Sequence, residues 1–301
     1  MHKKLLLTAS LLACNAKDNT AMEHLPPLDD KNLAFTCVHE QDHVPPITPE
    51  ADRLFHQARA MEKAPGPKDF DEIARLYTQA GDMGHWKALH NLQNLYYEGL
   101  VEHPHPEKVV IDINEKLIKL GAPMGYYNMA TYLEQGYGVR QDEEAALAYY
   151  RKSADLGSPY GQTYTGKILV FKLKKFDVGI GMLTCAIEQG NGQAARELAE
   201  YYRAFRDDYK NALLYYHKAA SLGHELSAHS LSETFGEGTE AVSGGLGVTI
   251  DQERARRYQA IVDEIERNPA ARFPDIDRIV PLPPAPLPAW DGTFEYRKSV
   301  N

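Results

Sequence analysis

The fold class predicted for this 301-residue chain is all-α: a curved solenoid of stacked helix pairs. Two observations carry that expectation. The block DEEAALAYYRKSADLG, from Asp142 to Gly157, is echoed by DYKNALLYYHKAASLG, from Asp208 to Gly223, and more loosely between Asp69 and Gly84. Glycines at 84, 121, 157, 190 and 223 are spaced by 37, 36, 33 and 33 residues, as a repeated helix stop would be. Units of that size cannot bury their apolar faces alone and must stack on their neighbours.

The first helix of the array should begin just after Ile47. Thr48 suits an N-cap, Pro49 the first helical position and Glu50 the first turn. From there a helix A, a loop and a helix B alternate. Four residues after each marker glycine stands a small residue: Ala88, Gly125, Gly161, Ala194, Ser227. Four further on come Leu92, Met129, Thr165, Leu198 and Leu231, then Tyr96, Leu133, Leu169, Tyr202 and Phe235. Such an i, i+4, i+8 row lies on one helix face. The small residue lets neighbouring helices approach, and the large ones fill the interior.

Residues beside this row should line the inner wall and meet a partner: His90, Asn94, Tyr127, Thr131, Tyr164, Lys167, Arg196 and Glu200. The pairs Tyr96-Tyr97, Tyr126-Tyr127, Tyr149-Tyr150, Tyr201-Tyr202 and Tyr215-Tyr216 belong mostly to packing, with one member of each able to face solvent as an interface anchor.

Composition bounds the function. The formal charge of −9 argues against nucleic acid and anionic membrane surfaces as partners. No apolar run is long enough to span a bilayer. The first residues, 1–13, have the form of a signal peptide: basic His2-Lys3-Lys4, then an apolar stretch from Leu5 to Ala13. Leu11-Leu12-Ala13-Cys14 resembles a bacterial lipobox, which implies lipidation at Cys14 and membrane attachment through that lipid alone. Removal of 1–13 takes away Lys3 and Lys4 and moves the charge from −9 to −11. Asn15 after the cysteine implies outer-membrane sorting, with the protein facing the periplasm. Cys37 and Cys185 are then the two remaining cysteines. An oxidising compartment would let them pair; two buried thiols are the alternative.

Four segments follow: 1–13 a signal peptide, 14–48 a lipid-anchored linker and extended segment, 49–267 the repeats, and 268–301 a tail. The tail carries five prolines between Pro281 and Pro288, which favour polyproline II, but Trp290, Phe294 and Tyr296 gain by docking on the last repeats.

The repeats resemble the Sel-1-like family, relatives of the tetratricopeptide repeats. The match rests on Gly136-Tyr137-Gly138-Val139-Arg140-Gln141-Asp142 followed by the Tyr-Tyr-x-Lys-x-Ala block, and on Gly245-Leu246-Gly247-Val248-Thr249-Ile250-Asp251 after a Gly/Ser-rich insertion from Gly236 to Gly244. It covers about residues 50–267 and implies a right-handed solenoid of about six helix pairs. The loops 98–107 and 172–175 lack the Gly-x-Gly-Val motif, so those repeats should be irregular. The flanks are similar to a narrower group of bacterial lipoproteins. Cys37-Val38-His39-Glu40, Pro45-Pro46 and Pro49 to Phe55 carry one end, and Ile279 to Gly292 the other. That group includes immunity proteins against type VI secretion phospholipase effectors. The resemblance therefore implies a non-enzyme that covers a toxin's active site; an envelope scaffold for a resident protein is the alternative.

Chemistry-bearing motifs are few. His39-Glu40-Gln41-Asp42-His43 fits H-E-x-x-H, whose zinc chemistry needs both histidines one helical turn apart. Pro45 and Pro46 follow at once, and the preceding stretch reads as extended, so the imidazoles should not share a face. His39 and Glu40 are expected instead to fix this segment against the repeats or to meet the partner. His103-Pro104-His105 is a weak ligand candidate in a surface loop. No P-loop, nucleophile elbow or dinucleotide fingerprint occurs, and no cofactor or metal is expected.

Overall fold

A computed structural model describes residues 22–29, 31, 33–237 and 246–295. Among these residues the regular structure is helical, with a single isolated bridge residue at Val139. Six helix pairs follow one another: α1 (Pro49–Lys63) with α2 (Phe70–Asp82), α3 (Trp86–Tyr97) with α4 (Pro106–Lys119), and α5 (Pro123–Gln135) with α6 (Glu143–Asp155). Next come α7 (Pro159–Lys167) with α8 (Phe176–Glu188), α9 (Gly192–Arg206) with α10 (Tyr209–Ser221), and α11 (Glu225–Glu237) with α12 (Gln252–Arg267). Each pair packs on the next, so the core runs along the whole array. A one-turn helix α13 (Ile276–Ile279) follows. No helix of the described residues is long and apolar enough to cross a membrane.

The local reasons are the repeated ones. Thr48 caps α1 by accepting from the Ala51 amide. Asp69, Asp142, Asp208 and Asp251 cap the second helix of their pairs in the same way, each accepting from the third amide along. The five marker glycines all have positive φ and end their helices. The small-residue row is buried: Ala88, Ala194 and Ser227 have no exposed surface. A Cβ at Gly161 would sit 2.6 Å from Ser153 Oγ and 2.7 Å from the Ala154 nitrogen, so α6 and α7 meet at backbone distance. Among the larger residues of the row, Met129, Leu133, Leu169, Leu198 and Phe235 are buried.

The pair α7–α8 is irregular. After Lys167 the chain widens into a π turn, Ile168–Lys172, and Lys174 reaches φ 57° before α8 begins.

The segment before α1 is a strap. Met22 and Leu25 pack on the α5–α6 core, and the Tyr149 hydroxyl donates to the Glu23 carbonyl at 3.0 Å. Arg151 donates to the Ala34 carbonyl at 2.5 Å, and Phe35 packs against Ala154, Leu169 and Met182. Cys37 is disulfide-bonded to Cys185 on α8, with Cα atoms 5.6 Å apart. Gln162 donates to the Val38 carbonyl and the Glu40 amide donates to Gln189, at 2.9 and 2.8 Å. The strap backbone passes so close to Gly157 (φ 90°) that a Cβ there would lie 2.5 Å from the His39 carbonyl carbon. Val44 and Ile47 then join the core of the first pairs.

One packing expectation is corrected. Tyr149 and Tyr150 are both buried, so neither member of that pair faces solvent. The strap covers Tyr149, and Tyr164 stacks on Tyr150 with ring centroids 3.8 Å apart.

At the other end, the tail folds onto α12. Arg254 donates to the Pro281 carbonyl at 3.1 Å, and Arg257 to those of Ile279 and Pro288 at 2.5 and 2.9 Å. Val280 and Phe294 are buried in the core of the last pairs, and Trp290 packs at its edge. Tyr296 and the insertion residues 238–245 lie outside the described residues.

Candidate functional site

The first helices of the pairs, α3, α5, α7 and α9, place the expected wall residues in a chain of four polar and aromatic groups. On α3, His90 lies between Asn94 and Asn128, at 3.4 and 3.2 Å from their amide nitrogens. Asn128 also donates to Gln93 at 2.7 Å, and Gln93 donates to the Val110 carbonyl. Burial lowers the His90 pKa and so favours the neutral ring.

The second group is aromatic. Tyr127 stands 5.4 Å from the Tyr150 ring and 5.7 Å from that of Tyr160. Behind them Glu134, at the end of α5, accepts from the hydroxyls of Tyr150, at 3.1 Å, and of Tyr164. Thr131 lies 3.2 Å from the Tyr150 hydroxyl. Burial first, and then the Glu134 carboxylate, push the Tyr164 phenol well above its ordinary pKa.

In the third group, Lys167 of α7 pairs with the nearly buried Glu197 of α9 at 3.3 Å. Gln193 donates to Glu197 at 2.6 Å and meets the His224 ring at 2.7 Å. Burial, then the positive charge of Arg196, lower the His224 pKa to about 4. The fourth group centres on Glu200. Its carboxylate accepts from Tyr216 at 2.5 Å and pairs with Arg203 at 2.8 Å and Arg196 at 3.6 Å. Burial opposes its charge, but the Tyr216 hydroxyl and the two arginines outweigh that and hold its pKa below the ordinary range.

Groups two and three border one cleft of about 410 Å³, whose lining includes Tyr127, Tyr160, Tyr164, Lys167, Glu197 and His224. The cleft is walled by tyrosines and by the Lys167–Glu197 pair.

Of the ten residues expected to meet a partner, Tyr127, Tyr164 and Lys167 thus share one cleft. His90 and Asn94 lie on the α3 side of Tyr127, and Arg196 and Glu200 on the α9–α10 side. His39 and Glu40 are in the strap, where His39 lies 3.6 Å from Glu188 and burial raises the Glu40 carboxyl pKa. The H-E-x-x-H motif forms only a 3-10 turn, Glu40–Asp42, with His39 extended before it. His39 lies near Cys37 and Cys185, but those sulfurs are bonded to each other, and His43 is not part of the group. His103 accepts from the His105 amide at 3.1 Å, and the His105 ring lies 3.6 Å from Glu107. Cys14 lies outside the described residues.

Several wall residues escaped the sequence reading although their signal was present. Glu134 continues Tyr127 and Thr131 at i, i+4, i+7. Tyr160 precedes Tyr164 and Lys167 with the same spacing, and Gln193 and Glu197 precede Glu200 likewise. Extending each stripe by one turn would have found them. His224 was not recoverable in that way, because it precedes its helix.

Comparison with known proteins gives the wall its context. The Sel1 repeat family matches residues 123–158 and 192–224, and a "Domain of unknown function (DUF6396)" matches 227–301. The immunity protein Pa5087 of Pseudomonas aeruginosa is 34% identical, with a TM-score of 0.70; the match covers 84% of this chain and 96% of that one. The immunity protein PA5088 of the same organism is 32% identical, with a TM-score of 0.71, over 84% and 95%. An uncharacterized Neisseria meningitidis protein, NMB1327, is 32% identical over 67% of this chain, which spans only 41% of its length. The two solved relatives are immunity proteins by description. Since it matches Pa5087 almost end to end at this identity, the chain belongs to the family of Sel1-repeat proteins that includes these Pseudomonas immunity proteins.

Proposed function

We propose that this protein is an immunity protein that binds a type VI secretion effector, a phospholipase, and blocks its active site by steric cover. The observation that carries the reading is the match to Pa5087 over nearly all of that chain. The wall on α3, α5, α7 and α9 supports it, because blocking asks only for a fitted surface. A tight complex needs roughly 800 Å² buried on each partner, well within what six stacked pairs can offer. The phospholipase assignment rests on the flanks, Cys37 to Phe55 and Ile279 to Gly292, and on their resemblance to lipoproteins of that kind. The net charge of −9 would speed encounter with a basic, headgroup-binding face on such an enzyme. We further propose that the chain is lipidated at Cys14 and faces the periplasm from the outer membrane, where such a toxin would act.

The test is to search beside this gene for a secreted effector, to express it in the periplasm with and without this protein, and to follow survival and phospholipid turnover. Protection together with a one-to-one complex of the purified proteins is the expected result. Equal killing in both cases, with no association, overturns the immunity reading and favours a scaffold for a resident envelope protein.

A further inference from the structure

The strap and α8 bring four metal-binding side chains to one place. Cys37 and His39 stand two apart on the strap, a spacing that an extended backbone puts on one side. Cys185 and Glu188 stand three apart on α8, on one helix face. The sulfurs of Cys37 and Cys185 and a ring nitrogen of His39 all lie within 4.8 Å of one another. The Glu188 Oε2 atom is 3.6 Å from His39 Nε2 and 3.8 Å from the Cys37 sulfur. The disulfide is not all that holds these donors. Gln162 donates to the Val38 carbonyl at 2.9 Å, and Gln189 accepts from the Glu40 amide at 2.8 Å, so the backbone is fixed on both sides of His39. Phe35 is packed against Ala154, Leu169 and Met182. Opening the S–S bond therefore leaves the strap seated on the repeats, with all four donors still facing one another.

Two thiolates, an imidazole and a carboxylate make a donor set for tetrahedral zinc, and the soft sulfurs select against magnesium and calcium. We propose that the reduced protein binds one Zn²⁺ through Cys37, His39, Cys185 and Glu188. Cys37 is exposed and Cys185 is buried, so a dithiol reductant attacks the Cys37 sulfur and releases the Cys185 thiolate. The second thiol of the reductant then displaces Cys37 from the mixed disulfide. Two electrons and two protons pass to the protein, and the reductant leaves as its own disulfide. Zn²⁺ next displaces the two thiol protons and forms two Zn–S bonds, with no change in oxidation state. Bonds of about 2.3 Å to zinc set the sulfurs roughly 3.8 Å apart, a separation that rotation about the two Cα–Cβ bonds supplies. The ion ties the strap to α8 in place of the covalent link, so the strap is locked in either redox state. Nothing in this depends on the identity of the protein partner.

The test uses the full chain carrying Cys14→Ser, so that Cys37 and Cys185 supply the thiols. The protein is reduced with a dithiol, freed of it under nitrogen and titrated with Co²⁺ as a coloured probe, then with Zn²⁺. One cobalt per chain should give thiolate charge-transfer absorption and the visible bands of tetrahedral coordination, and one equivalent of zinc should bleach both. The oxidised protein should give neither. His39→Ala and Glu188→Gln should each weaken zinc binding by at least the roughly tenfold that loss of even an outer-shell partner costs. Zinc should also raise the melting temperature of the reduced parent, but not that of the variant with both Cys37→Ala and Cys185→Ala. A reduced parent that takes up no cobalt overturns the proposal, whether its circular dichroism shows the helices kept or lost. So does cobalt binding that His39→Ala and Glu188→Gln both leave unchanged, or equal binding by the oxidised protein.

Discussion

Gly161 and Gly181 make opposite demands on their helices, and a single methyl group distinguishes them. At Gly161 a Cβ would press on Ser153 and the Ala154 backbone within 2.7 Å. Gly161→Ala should therefore destabilise by about 1–3 kcal/mol through overpacking. At Gly181, inside α8, the nearest atom to a new Cβ is on Phe35, at 3.9 Å. Gly181→Ala should stabilise by about 0.5–1 kcal/mol, since helical glycine has more backbone freedom to lose. Chemical denaturation of the two variants checks both signs. His224 sets a pH dependence at the same scale. Its pKa falls from an ordinary 6.5 to about 4 on folding, so the unfolded chain takes up the proton first. The contribution of His224 is complete above pH 6.5 and is lost as the pH falls towards 4. Melting curves between pH 7 and 4 should show a weaker acid destabilisation in His224→Gln than in the parent.

Among the elements, the strap contributes most beyond the repeat pattern. It crosses α6, α7 and α8 before the array begins, and its cross-link joins residues 148 apart in sequence. Closing a loop of that length constrains the unfolded chain by about 4–5 kcal/mol in the chain-entropy view. Cys37→Ala with Cys185→Ala should lower the melting temperature, and adding a dithiol to the parent should reproduce the effect. A melting curve unchanged by both treatments would show that Gln162, Gln189 and Arg151 hold the strap unaided.

At the scale of the molecule, an array of this kind has two ends to close, because each terminal pair leaves an apolar face without a neighbour. The strap residues Val44 and Ile47 pack on the first pairs, and the tail packs on the last. Val280 is fully buried and Phe294 is 3% exposed, so the tail is part of the last core. Deleting residues 280–301 should loosen α11 and α12 first, read as a lower melting temperature and faster exchange of amides in those helices. The wall on α3 to α9 should keep its structure, since each pair depends chiefly on its neighbours.

The repeating half of this architecture was legible in one dimension. Glycine stops, aspartate caps and the row from Ala88 to Phe235 are local and periodic, so spacing alone located the helices and their buried faces. Spacing also placed Tyr127 with Thr131 on one stripe of α5 and Tyr164 with Lys167 on one stripe of α7, because i, i+3 and i+4 neighbours share a face whatever the tertiary context. What only the tertiary structure decided was which stripes meet across helices. Glu134 meets Tyr150 and Tyr164, which lie 16 and 30 residues away. The fate of the H-E-x-x-H segment, as a strap on Gly157 and Gln189, depends on partners more than 100 residues distant. A helix period constrains neighbours within a turn or two. Contacts between pairs depend on packing angles and close backbone approach, which accumulate along the solenoid and have no signature in any short window of sequence.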